Sequence, residues 1–176
     1  MPNNKKIFDE EKEKILENTF NMINSLPELS DDSSVIDLED RERRVDMLLN
    51  QPNVKILNLL LKNFIDKNNS LKIMYESGSK GTKKNLSDIT CLLGQTYIGD
   101  KRPLKELTNK KRWLTTFSVE DNSPESRGFV KNSFLDGLGP DEYFAQAQSG
   151  RIGLIGTAVM TRKSGEMNRE IIKAQE

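Results

Sequence analysis

At 176 residues the chain has room for one domain with its own core, or for a compact half plus an extension. Hydrophobic residues at 35% and charged residues at 31% are lean for a self-sufficient globule, and zero net charge argues against a nucleic-acid binder held by bulk charge alone. With Cys91 as the one cysteine and no histidine, an intrachain disulfide, a Cys/His zinc site and histidine acid–base catalysis are all excluded.

The zero hides a pattern. Residues 1–50 carry 7 basic and 13 acidic side chains, whereas residues 80–112 carry 9 basic and 3 acidic. A basic central segment could meet phosphates while the acidic end faces solvent or a basic partner; ordinary solvated faces are the alternative for the acidic block. The start, Met1-Pro-Asn-Asn-Lys-Lys, has no apolar signal core, and no stretch is long enough to cross a bilayer. An intracellular protein is expected, in nucleus or cytoplasm, with no membrane partner.

Residues 8–26 read as a helix with Phe8, Ile15, Phe20, Ile23 and Leu26 near one face, and Glu10, Glu11 and Glu13 in its first turns. Residues 27–34 are a polar breaker. A second helix is predicted over 37–49 and a third over 52–66, with Pro52 in its first turn and Val54, Leu57, Leu60, Leu61 and Phe64 as its apolar stripe. A turn at 68–70, a short apolar segment at 71–75 and a glycine loop at 76–82 follow. Leu86, Ile89, Leu92 and Leu93 then suggest another short helix.

From Gly94 to Pro124 there is no sustained period, only short extended pieces around 95–98 and 113–119. That length suits a segment that wraps a neighbour or carries function. Residues 127–176 read as one long helix, apolar on one side and unusually small on another. Gly139-Pro140-Asp141-Glu142 marks a clear helix start. Unbroken from 140 to 174, such a helix is about 50 Å long at 1.5 Å per residue. Gly150, Gly153, Gly156 and Gly165 each cost about 1 kcal/mol relative to alanine, so the helix needs surroundings or needs to bend.

Two motifs are rejected on spacing. Gly78-Ser-Lys-Gly-Thr82 lacks the lysine that a phosphate loop places directly after its second glycine; a tight turn exposing Lys80 is the alternative. The glycines at 150, 153 and 156 do not make the GxGxxG of a dinucleotide fold, and Arg151, Arg162 and Lys163 rule out a membrane-dimer motif. No aspartate run with magnesium-site spacing and no serine elbow is present. On its own chemistry the chain is not a complete enzyme: no catalytic or metal-binding residue is assigned.

Three strings in order carry a resemblance. Ser77-Gly-Ser-Lys-Gly-Thr-Lys-Lys-Asn-Leu-Ser with Gly94-Gln95 after it, Pro124-Glu-Ser-Arg-Gly-Phe-Val-Lys-Asn-Ser-Phe-Leu-Asp-Gly-Leu, and Gly150-Arg-Ile-Gly-Leu-Ile-Gly-Thr-Ala-Val-Met-Thr keep their sequence and spacing. Together they resemble the largest subunit of multisubunit DNA-directed RNA polymerases, in the eukaryotic, archaeal and large-DNA-virus form. The likeness covers about 68–176; residues 1–67 fit by position only.

The resemblance implies a mainly α chain: a helical, funnel-like half with irregular loops, then one long bridge-type helix. Its parts would be a helical N-terminal part (1–67), a funnel-like segment (68–123) and a bridge-helix segment (124–176). It puts Lys80 and Gln95 near the nucleotide-entry channel. On the bridge helix, facing the template, it puts Arg151, Gly153, Thr157, Ala158, Thr161, Arg162, Gly165 and Arg169.

The family usually has aspartate where Gly156 stands, lysine at Met160, alanine at Arg162, glutamate at Lys163, tyrosine at Glu166 and arginine at Glu170. A Glu166 carboxylate near DNA phosphate would be repelled, and Arg162 could compensate.

The aspartate loop that holds catalytic magnesium and the trigger loop with its histidine have no counterpart in this sequence. The expectation is therefore a fragment of a split or interrupted largest subunit, or a relic of one. It would take part in DNA-templated nucleotidyl transfer only with other polymerase subunits or segments, which supply Mg2+. DNA template, RNA–DNA hybrid and nucleoside triphosphates are the implied partners, and a virus-encoded origin is open. The alternative from a different class is a non-catalytic interaction module that mimics this region and binds polymerase or its factors.

Overall fold

The computed structural model describes residues 2–27, 34–63, 65–66, 68–119 and 121–175. Residues 28–33 of the breaker at 27–34, and Phe64 of the proposed stripe, lie outside them. The chain is mainly helical. Its elements run α1 (Pro2–Asn24), α2 (Val35–Asn63), α3 (Ser70–Glu76), α4 (Lys83–Thr90), β1 (Gly94–Gln95), α5 (Leu107–Lys110), a 3-10 turn (Glu125–Arg127), β2 (Phe129–Val130) and α6 (Pro140–Gln175).

α1 and α2 pack as the base of the molecule. Phe8, Leu16 and Ile23 are buried against Val45, Leu49, Ile56, Leu57 and Leu60, with Leu86, Cys91, Leu92 and Phe129 closing the same core. Each such aliphatic side chain taken from water contributes about 1.5–3 kcal/mol. The α1 stripe differs from the sequence reading in one respect: Lys12 and Thr19 are buried on it, while Ile15, Phe20 and Leu26 sit at its margin.

The two helices expected at 37–49 and 52–66 are one continuous helix with Pro52 inside. Proline gives no N–H to the carbonyl four residues back and crowds it, at a cost of about 3 kcal/mol or more. Pro52 is fully buried, as are Leu49 before it and Ile56 after it, so an unbroken apolar face offsets that cost. The face follows 45, 49, 52, 56 and 60, and Val54 of the expected stripe is 58% exposed.

Residues 71–75 form a helix because Asn69 caps it, its Oδ1 accepting from Leu71 N at 3.0 Å and Lys72 N at 3.3 Å. Thr82 and Asn85 make a capping box at the start of α4. Between these helices lies the glycine turn that exposes Lys80.

The expected single helix over 127–176 begins only at Pro140. Gly128 and Gly137 hold φ of 80° and 90°, left-handed values that a right-handed helix cannot include. In their place β2 pairs antiparallel with β1, Gly94 opposite Val130 and Gln95 opposite Phe129. A second, smaller core of Leu93, Trp113, Val130 and Ala145 joins this pair to the root of α6. α5 is a single turn whose Thr108, Asn109 and Lys110 are left-handed, at φ of 53°, 56° and 65°.

Candidate functional site

The strand pair brings two of the three sequence strings into contact. Gly94, at φ +77°, faces the Asn53 side chain so closely that an added Cβ would lie 2.5 Å from it. Gly128, at φ +80°, is likewise pressed against Thr96 Oγ1 and Pro103. Both glycines are required by the backbone and by the lack of room.

Gln95 is only 5% exposed, and its amide is fully engaged. Nε2 donates to the Arg127 carbonyl at 2.8 Å and the Thr96 carbonyl at 2.9 Å, while Oε1 accepts from Arg102 Nε at 3.2 Å. Arg102 also donates to Glu42 of α2 at 3.4 Å, and Arg127 donates to the other oxygen of the same carboxylate. Burial, and then the adjacent Arg127, push Arg102 down to about 10 against the opposing pull of Glu42. One carboxylate thus holds two guanidinium groups at the junction of α2 with both strings.

Beside it opens a cleft of about 420 Å³ whose walls include Leu38, Asp46, Tyr97 and Leu104. The Tyr97 hydroxyl donates to Asp46, and burial together with that bond pushes it up to about 12.

The third string lies on α6. From Arg151 to Gln175 every residue is exposed, including Leu154 at 76% and Met160 at 75%. An added Cβ at Gly150, Gly153, Gly156 or Gly165 would meet nothing within 4 Å among the described residues. Thr157 and Thr161 turn their hydroxyls inward, each donating at 2.9 Å to the carbonyl four residues back, Gly153 and Thr157 respectively. Such back-bonding competes with the helix ladder and favours a bend.

The eight positions do not share one stripe. At roughly 100° per residue, Arg151, Ala158, Arg162, Gly165 and Arg169 fall within about 60° of one another. Gly153, Thr157 and Thr161 form a neighbouring strip. One strip is cationic and the other small and neutral.

Sequence reasoning brought out Lys80, which is exposed, and Gln95, which is buried as a strut between the strings. It missed Glu42, Asn53 and Arg102: Glu42 and Asn53 have their partners tens of residues away, and Arg102 reaches both Gln95 seven residues back and Glu42 sixty back, so no local spacing signals them.

No group of three or more His, Cys, Asp or Glu among the described residues is placed to hold a metal. No described helix is long and apolar enough to cross a membrane.

A family model described as RNA polymerase Rpb1, domain 4, matches residues 3–130, ending with β2. DNA-directed RNA polymerase subunit Rpo1N of Sulfolobus acidocaldarius is 40% identical over 120 residues. Those residues are 68% of this chain but 13% of the relative, so the chain spans a small part of the protein it matches. The glycine-pinned strand pair, the engaged Gln95 and the long helix rooted on them are carried by a chain that belongs to the RNA polymerase Rpb1 domain 4 family, part of the largest subunit of DNA-directed RNA polymerase.

Proposed function

We propose that this chain contributes the funnel-like wall of the nucleotide-entry channel and the bridge-type helix to a composite RNA polymerase active site. Its work is positioning. The small strip of Gly153, Thr157 and Thr161, with Ala158 beside it, lets a template base or a moving loop come against the helix backbone. Arg151, Arg162 and Arg169 offer guanidinium groups to phosphate oxygens, which they fit better than lysine would. Lys80 stands exposed on its turn to meet nucleotide phosphate, and Gln95 buttresses the wall from inside. Magnesium and the chemistry of phosphoryl transfer come from other segments of the polymerase, as do the partners that cover the rest of α6.

One observation carries this reading. A 36-residue helix anchored at one end leaves its whole second part exposed, with no covering neighbour among the described residues, and that part holds the small and cationic strips. A lone helix with four open glycines gains nothing from being exposed, whereas one that spans a cleft does.

The test is a photoreactive residue at Ala158 in polymerase assembled with this chain and a radiolabelled template. Crosslinks to the template base at the growing end of the RNA are expected. Crosslinks confined to protein, with the chain bound at the polymerase surface, would overturn the proposal and favour a module that only docks on the enzyme.

A further inference from the structure

The direction of α6 is set in its first turn. Glu142, two residues into the helix after Pro140, uses both carboxylate oxygens. Oε2 accepts from Gly139 N at 2.9 Å and Asn132 Nδ2 at 2.8 Å; Oε1 accepts from Lys131 N at 3.1 Å and Asn132 N at 3.2 Å.

The bond to Gly139 is the reach-back of a capping box. The other three go ten and eleven residues upstream, to the segment that leaves β2. The carboxylate therefore fastens the helix to the strand pair as well as closing its end. Around it, Ala145 is 2% exposed, Phe144 leans on Trp113 with ring centroids 5.9 Å apart, and Thr116 donates to Asp141 at 2.9 Å. Beyond Gly150 nothing among the described residues touches α6 closely enough to bury a residue.

We propose that Glu142 is a positioning residue that aims the exposed part of α6, fixing where its small and arginine strips stand relative to the body of the chain. The functional weight of this aim rests on the reading of α6 given under Proposed function; the aiming itself does not. At 1.5 Å per residue, Gly153 and Gly165 lie roughly 17 and 35 Å from Glu142. A swing of about 10° at the root displaces them by about 3 and 6 Å, and a misplacement of about 1 Å is enough to disturb a reacting geometry.

The chemistry demands a carboxylate. All four partners are N–H donors, so each oxygen must accept twice. Glutamine turns an NH2 group toward one pair of those donors whichever way its amide lies. Aspartate is one methylene short of the upstream segment.

The experiment measures orientation in the full chain by amide residual dipolar couplings. Residues 141–149 are compared with α1 and α2, well inside the packed root of the helix. In the parent, one alignment tensor fits all three. In Asn132→Ala, which removes one donor and leaves Glu142 in place, the order of 141–149 falls slightly. In Glu142→Gln and Glu142→Ala it falls by about half or more, with helix content by circular dichroism unchanged. Should Glu142→Ala fail to fold, the ordering of parent, Asn132→Ala and Glu142→Gln still decides the matter.

A single tensor persisting in every variant that folds overturns the proposal. Polymerase assembled with Glu142→Gln then separates the two claims. A fall of about tenfold in kcat with KM within about twofold supports both. Loss of order with unchanged turnover upholds the aim set by Glu142 and removes the template-supporting role of α6.

Discussion

Lys12 on α1 donates through Nζ to the Cys91 carbonyl at 2.7 Å, joining residues 79 positions apart inside the core. The ammonium is buried, and its pKa is lowered by that burial, with Asp136 and Asp9 opposing the shift. Its partner is the carbonyl at the C-terminal end of α4, a group the helix leaves without an internal donor. Lys12→Met keeps most of the stem and removes the donor. The orphaned carbonyl then costs about 1–3 kcal/mol, read as a lower urea midpoint with unchanged slope. Stability equal to the parent would show that water replaces the ammonium.

The corrected face of α2 gives a second prediction. Leu49 is fully buried and Val54 is 58% exposed, five residues apart on one helix. Leu49→Ala is expected to destabilise the chain by about 2–5 kcal/mol through lost transfer energy and a residual cavity. Val54→Ala stays within about 0.5 kcal/mol. Equal losses in thermal unfolding would mean that the helix breaks at Pro52 and that its second half turns another face inward.

Asp88 sets the pH dependence. Its Oδ1 is buried with no hydrogen-bond partner among the described residues, and burial raises its pKa above 3.8, with Lys84 opposing. The folded state therefore binds this proton more tightly than the unfolded state does. The penalty is fully present above the raised pKa and disappears as pH falls through it toward 3.8. Asp88→Asn should raise the melting temperature at pH 7, by under about 1 kcal/mol of stability because the group is half-exposed. The advantage over the parent should shrink on acidification. An advantage that grows instead would assign the effect to something other than ionisation.

Much of the fold was legible from local signals. Phe8 and Ile23 announced α1, Gly139-Pro140-Asp141-Glu142 marked the start of α6, and the glycine loop at 76–82 separates two helices as its composition suggests. The failures share a cause. Pro52 reads as a start by local rule and is overruled by the burial of Leu49 and Ile56 around it. Asn69 makes a helix of 71–75 through a side-chain cap that the apolar pattern does not encode. Gly128 and Gly137 carry left-handed backbone that periodicity alone passes over. At the candidate site, the motif singles out Gln95, but its burial and bonding depend on Arg102, Arg127 and Glu42. The Glu42–Arg127 bond spans 85 residues, and no window of sequence contains it.

Gly153→Leu should act with opposite signs on stability and on function. Nothing among the described residues lies within 4 Å of an added Cβ, so the substitution gains roughly the 0.8–1 kcal/mol that glycine costs a helix. In an assembled polymerase the same side chain fills the space proposed for a template base or moving loop, and elongation should fall by at least about tenfold. Glu10→Lys, on the exposed side of α1, serves as the control with near-parent activity. If Gly153→Leu and Glu10→Lys transcribe equally well, the close-approach face is wrongly placed.

The free chain should show where its own interactions stop. Residues 140–149 are held by Glu142, Ala145 and the Phe144–Trp113 contact, whereas 151–175 are exposed, with no packing against the other described residues beyond their helix ladder. That ladder contains Gly153, Gly156 and Gly165, and Thr157 and Thr161 back-bond against it. Helices of about 25 residues with such interruptions are marginal in water without tertiary packing. Amide hydrogen exchange should find 151–175 protected less than about tenfold, and the core amides of α1 and α2 protected by several orders of magnitude more. Assembly into polymerase should raise protection across 151–175 together, if the packing proposed for this helix comes from the rest of the polymerase. Cooperative protection of that segment in the isolated protein would mean that α6 is self-supporting.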